Sequence, residues 1–258
     1  MKIESLMEVK ENEKPLDNIV EDGGYCSIFR TMGFIGDSLS SGEFEAIDKD
    51  GNKSYHDIFD YSWGQFIARD AGLKAYNFSR GGMTAKEFIE SFADSIDAYN
   101  PSKKCIAYVL ALGVNDMYVT DIGQENDYEN RVDSFSRYYQ EIIRKYREIE
   151  PNSKMFLLTM PKEEPDDLRS KKEKHRKLLY ELAKKYKNTY VIDIFEYGPI
   201  YDKAFKEKFY LYGHLNPMGY KYTAKIVESY IDYIIRSDFK SFYQVGFIGK
   251  EQYREDIE

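Results

Sequence analysis

The chain has 258 residues, 32% of them charged and 42% hydrophobic, a balance that fits a folded globular protein and argues against a disordered one. A net charge of −8 from 37 basic and 45 acidic residues, with no long Lys/Arg block, excludes nucleic acid as an expected partner. Two cysteines, Cys26 and Cys105, make no disulfide framework, and no segment approaches the length of a membrane span, so no membrane association is expected.

Residues 1–28 are polar and acidic and end in Glu21-Asp22-Gly23-Gly24, an arm and turn ahead of the first core element. Charges are scattered through this stretch where a secretory signal needs an unbroken apolar run, which gives a cytoplasmic expectation. Residues 28–35 are apolar-rich and strand-like up to Gly36, residues 61–71 have helical spacing, and residues 74–78 form a second short strand. Thr84, with Glu87 three residues on, is a capping box opening a helix that runs to about Ile96. Residues 105–112 are almost wholly apolar, as a parallel strand buried on both faces must be. An amphipathic helix is predicted over 128–149, a strand over 154–159, a helix over 171–187, a strand over 189–194, and a last helix over 217–236 with Pro217 in its first turn. The run Lys171, Lys172, Lys174, His175, Arg176, Lys177 reads as a solvated helix face, and His56 and His175 as surface histidines.

Strands alternating with helices of this length give βαβ units, hence an α/β fold: a parallel sheet inside a three-layer αβα sandwich. The expected organisation is an arm (1–28), one domain (29–237) and a tail (238–258). Phe239, Phe242, Tyr243, Val245, Phe247 and Ile248 make that tail too apolar to float free, so it is expected to pack on the domain or on a second subunit of a homo-oligomer.

Four signals fall at the carboxyl edge of this sheet, where open α/β folds bind ligands. Ser38, in Gly36-Asp37-Ser38-Leu39, follows the first strand directly. Gly82, in Arg80-Gly81-Gly82-Met83-Thr84, stands where paired glycines can aim an N–H at a ligand, beside a helix start. Asn115, in Gly113-Val114-Asn115-Asp116, follows the central strand and can donate from its amide to the same edge. His214, in His214-Leu215-Asn216-Pro217-Met218-Gly219-Tyr220, stands where the final crossover returns to that edge. Taken singly, each also reads as helix-capping or turn material; their shared edge is what singles them out.

Together these motifs resemble the GDSL/SGNH hydrolases, over the chain from about Gly33 to the last helix. The resemblance implies a flavodoxin-like sheet of order 2-1-3-4-5 and hydrolysis of a small-molecule ester or thioester through an acyl-enzyme. It assigns Ser38 as nucleophile and first oxyanion donor, Gly82 and Asn115 as further donors, and His214 as base. The chemistry is coherent without the name: a serine hydroxyl needs a neighbouring base, and preorganised donors stabilise the tetrahedral oxyanion. No cofactor or metal is called for, since no cluster with metal-ligand spacing and no phosphate-binding glycine loop is present.

The family usually carries an Asp three residues before the histidine, and here that position is Leu211. Three ways of orienting His214 then stand open: a backbone carbonyl near Leu211, giving a Ser-His dyad, which is the favoured expectation; a distant acid such as Asp193 or Asp202; or none, with a slow or inactive enzyme. A non-catalytic carbohydrate- or acyl-binding module on the same fold is the competing reading. Substrate specificity is not legible, because the loops 43–56 and 119–127, whose Glu43 and Phe44 stand near the expected pocket with Tyr118, carry only charged and turn residues.

Overall fold

A computed structural model describes residues 7–255; residues 1–6 of the expected N-terminal arm and 256–258 of the tail lie outside them. Five parallel strands form the central sheet: β1 (Thr31–Gly36), β4 (Lys74–Ser79), β5 (Ala107–Ala111), β6 (Lys154–Leu158) and β7 (Thr189–Ile192). Their order is β4-β1-β5-β6-β7, which is 2-1-3-4-5 when only the sheet strands are counted, as the family resemblance implied. Two antiparallel hairpins are separate from it: β2 (Glu43–Ile47) with β3 (Lys53–Asp57), and β8 (Tyr210–Leu211) with β9 (His214–Leu215).

Helices cover both faces because the buried strands are apolar on both. Along β1, Phe34 enters one core with Val109, Phe156 and Ile192, while the next residue, Ile35, enters the other with Leu110 and Leu157. The first core lies under α2 (Trp63–Ala71) and α5 (Pro217–Ser237); the second lies under the helical run 85–95, α3 (Phe135–Ile149) and α4 (Arg169–Lys185). Each fully buried side chain such as Phe34 or Phe156 contributes about 1.5–3 kcal/mol.

Three sequence expectations are corrected. The helix expected from residue 128 begins at Phe135, because Arg131 adopts a left-handed φ of 56° and Ser134 caps the helix by accepting from the Arg137 N–H. His175 is fully buried against Phe135, at 5.1 Å between rings, and burial pushes its pKa down to about 4, so it is neutral. Lys172 is likewise buried, held by Glu163 at 3.0 Å and Asp166 at 3.2 Å. Thus one face of α4, through Lys172, His175, Leu178, Leu179 and Leu182, belongs to the interior. The loop 43–56 is the third: it contains the β2–β3 hairpin.

Residues 13–25 run along α5, with Val20 N–H donating to Ser229 Oγ and Tyr25 N–H to Asp232. Arg236, which also binds Asp232, donates to Glu13 at 2.7 Å and holds its carboxyl down, from 4.5 to about 2. A depressed carboxylate stabilises the fold above its unfolded pKa and loses that contribution as pH falls through the folded value. Glu13→Gln is therefore expected to cost about 1–2 kcal/mol at neutral pH, after solvent screening, and progressively less as pH falls from about 4.5 through about 2, as read by urea unfolding across pH. In the tail, Phe242 packs on Phe29 and Phe156, and Val245 and Ile248 are buried in the same core. Among the described residues no helix is long and apolar enough to cross a membrane.

The register of the sheet sets up the site. Gly36 at the end of β1 lies beside Ser79 of β4 on one side and Ala111 of β5 on the other. The segments bearing Ser38, Gly82 and Asn115 therefore leave three adjacent strands at one level.

Candidate active site

Ser38 is the first residue of a four-residue helix, α1 (Ser38–Ser41), placed by the end of β1 and by Asp37, whose side chain accepts from the Leu39 N–H at 3.0 Å. As a first-turn N–H, that of Ser38 has no acceptor within the helix and is available to a ligand. Asp37 is buried, with one carboxylate oxygen lacking a hydrogen-bond partner, and burial pushes its pKa up to about 7. The Tyr220 hydroxyl lies 3.2 Å from the Ser38 carbonyl and 2.6 Å from that of Glu43. The last helix thereby pins the nucleophile turn to the start of β2.

Gly82 has a φ of 71°, the left-handed region that glycine enters without strain, and it precedes the helical run 85–95, which Thr84 caps by accepting from the Glu87 N–H at 3.1 Å. Asn115 docks on this turn: its Nδ2 donates to the Met83 carbonyl at 3.1 Å, and the neighbouring Asp116 accepts from the Ala85 N–H at 3.0 Å. One of the two amide hydrogens of Asn115 is thus committed, and the other has no acceptor among the described residues. Gly82 and Asn115 are coupled by these contacts into one unit.

His214 lies on β9, opposite Leu211 of β8, and the next helix is fixed by Asn216, which accepts from the Gly219 N–H at 2.9 Å while Pro217 occupies the first turn. Ser38 and His214 line a common cleft of about 270 Å³ with Leu39, Val114, Met160 and Tyr210. An apolar cavity of about 40 Å³, walled by Trp63, Leu112, Leu158 and Ile194, shares Leu39, Val114 and Met160 with it. Gly82 and Asn115 are not among the residues lining either space.

The imidazole of His214 is not hydrogen-bonded to Ser38. Its Nε2 lies 3.0 Å from Glu43 Oε1, and its Nδ1 lies 3.7 Å from Glu45 Oε2. No backbone carbonyl near Leu211 accepts from the ring among the described residues. Neither distant aspartate reaches it: Asp193 is bound to Arg176 at 2.6 Å and Tyr180 at 2.9 Å, and Asp202 caps the helix Lys203–Phe209.

Both glutamates come from the hairpin, and the sequence offered one signal for them. Glu43-Phe44-Glu45 places two carboxylates on the same side of a strand, while Glu45 pairs across the hairpin with Tyr55, whose ring stands edge-on to His214 at 5.7 Å. Glu45 is 3% exposed, accepts from the Gly213 N–H at 2.9 Å and pairs with Lys53 at 2.6 Å, which holds its carboxyl below the usual range. Glu43 is half-buried, and desolvation raises its pKa against the pull of His214. Its other oxygen lies so near Gly81 that a Cβ there would meet it at 1.9 Å. Among the described residues no group of three or more His, Cys, Asp or Glu is placed to hold a metal ion.

The profile described as GDSL-like Lipase/Acylhydrolase matches residues 32–227, a span that contains all four signals. Similar solved structures include a family two carbohydrate esterase from Clostridium thermocellum in complex with cellohexaose, at a TM-score of 0.60 and 14% identity, covering 80% of this chain and 64% of that one. They also include the lipase/acylhydrolase from Enterococcus faecalis (TM-score 0.53, 17% identity, 79% and 95% covered). A third is the acetyl xylan esterase AlAXEase (TM-score 0.52, 18% identity, 77% and 98% covered). At these identities the structures speak for the fold, and no curated protein sequence matches the chain. With the family profile spanning well over half of its length and the sheet order agreeing, the chain belongs to the GDSL-like lipase/acylhydrolase family.

Proposed function

We propose that this protein is a serine esterase that cleaves short acyl or acetyl-sugar esters, or thioesters, through an acyl-enzyme on Ser38. The supporting observation is that Ser38 and His214, far apart in the chain, line one cleft, while Gly82 and Asn115 follow the two strands that flank the one leading to Ser38. In this reading Nε2 of His214 takes the Ser38 proton as the hydroxyl attacks the carbonyl, and returns it to the leaving alkoxide. The N–H groups of Ser38 and Gly82 and the free hydrogen of Asn115 receive the oxyanion. The reading requires Nε2 to leave Glu43 for the hydroxyl; catalytic hydrogen bonds often tighten only with substrate bound. The small apolar cavity beside the cleft suits a short acyl group.

A fluorophosphonate probe reports on the nucleophile directly. Wild-type protein is expected to take up one label, mapped by peptide mass spectrometry to Ser38, and to hydrolyse acetyl and butyryl p-nitrophenyl esters. Wild-type protein that neither labels nor hydrolyses any ester in a panel of acyl chains, acetylated xylo-oligosaccharides and thioesters would support the binding-module reading instead.

A further inference from the structure

Resting on the serine-esterase reading, we propose that Glu45, delivered by the β2–β3 hairpin, is the carboxylate that positions His214 through Nδ1, replacing the acid missing at Leu211. The argument starts from which side of the ring each glutamate holds. Glu45 Oε2 accepts the backbone N–H of Gly213, the residue immediately before His214, so this oxygen sits on the main-chain side of the imidazole, next to Nδ1. An acid in that place fixes the tautomer with the proton on Nδ1 and leaves Nε2 unprotonated as the base.

Glu43 holds the opposite side of the ring. Its carboxylate lies between Nε2 and Gly81, the space that a bound acyl carbonyl and the Ser38 hydroxyl would have to enter. It is thus a resident of the free site and an unsuitable orienter, because a ring tied to it through Nε2 cannot accept from Ser38 with that nitrogen. The separation of 3.7 Å between Nδ1 and Glu45 is beyond hydrogen-bond range. A turn of the ring about its Cβ–Cγ bond moves both nitrogens together, which lets one motion release Glu43 and engage Glu45.

The surroundings of Glu45 fit a fixed orienter. Its Lys53 partner sits on the neighbouring strand, and Tyr55, directly across the hairpin, packs against the His214 ring. The hairpin therefore presents an anchored, ionised oxygen together with a wall for the imidazole. During the reaction the proton on Nδ1 stays there; Glu45 accepts its hydrogen bond and stabilises the imidazolium formed when Nε2 takes the Ser38 proton.

Glu45→Gln tests this with little structural change, since the amide oxygen can still accept from Gly213. It is expected to lower kcat for a short p-nitrophenyl ester by about 10²–10⁴-fold with KM within a few-fold of wild type. The second variant distinguishes positioning from support: Leu211 faces His214 across the β8–β9 hairpin, so Leu211→Asp in the Glu45→Gln background is expected to recover roughly tenfold or more of the lost kcat. Glu45→Gln with near wild-type kcat overturns the proposal, as does a loss that Leu211→Asp does not rescue, or a loss that falls on Glu43→Gln and spares Glu45→Gln. Wild-type protein without turnover or Ser38 labelling removes the esterase reading itself, and this proposal with it.

Discussion

Replacing Ser38 by alanine is expected to lower kcat for ester hydrolysis on the order of 10⁵-fold, with His214→Ala falling to a similar level and the double variant no lower than either. The non-additivity is the informative part. A nucleophile and its base act as one unit, so once either is gone the other has nothing left to contribute. Two residues that merely shape a cleft would give losses that add. The structure makes Ser38→Ala a clean probe, because its hydroxyl holds no hydrogen bond among the described residues and the cap on α1 comes from Asp37. Thermal unfolding should therefore be nearly unchanged while steady-state turnover collapses. Equal activity in Ser38→Ala and wild type would remove Ser38 as the nucleophile.

The parts of this architecture that were legible in the sequence are those that local chemistry dictates. Strands such as 154–158 are apolar because both faces are covered, and the residues that follow strands β1, β4 and β5 inherit their placement from the register of the sheet. The hairpin was not legible for the converse reason. All five residues of β3 are exposed, so Lys53–Asp57 shows no apolar alternation, and the polar turn at Asp48–Asn52 reads as a loop. Its consequence for His214 was hidden further, since Glu45 and Gly213 lie 168 residues apart and only the folded chain brings them together. The buried His175 is a different case. The apolar stripe of α4 continues through Lys172 and His175 at helical spacing, but the flanking Lys171, Lys174, Arg176 and Lys177 outweigh it in any reading by composition.

Asn115→Ala is expected to lower kcat by about 10²–10³-fold while KM moves little, because a donor to the oxyanion stabilises a charge that exists only in the transition state. The loss would have two sources. One is the free amide hydrogen, and the other is the bond to the Met83 carbonyl, which couples the β5 loop to the turn that holds Gly82. Asn115→Asp removes both as alanine does, but keeps the shape of the side chain and adds a charge. The two side chains are nearly isosteric, but the carboxylate can donate neither to Met83 nor to an oxyanion, and its charge repels both. Its kcat should fall at least as far as that of Asn115→Ala, and its unfolding midpoint should drop as well, since a half-buried acceptor would then face a carbonyl oxygen. If Asn115→Asp instead retained wild-type kcat, the amide would have no part in receiving the oxyanion, and Gly82 and the Ser38 N–H would have to stabilise it alone.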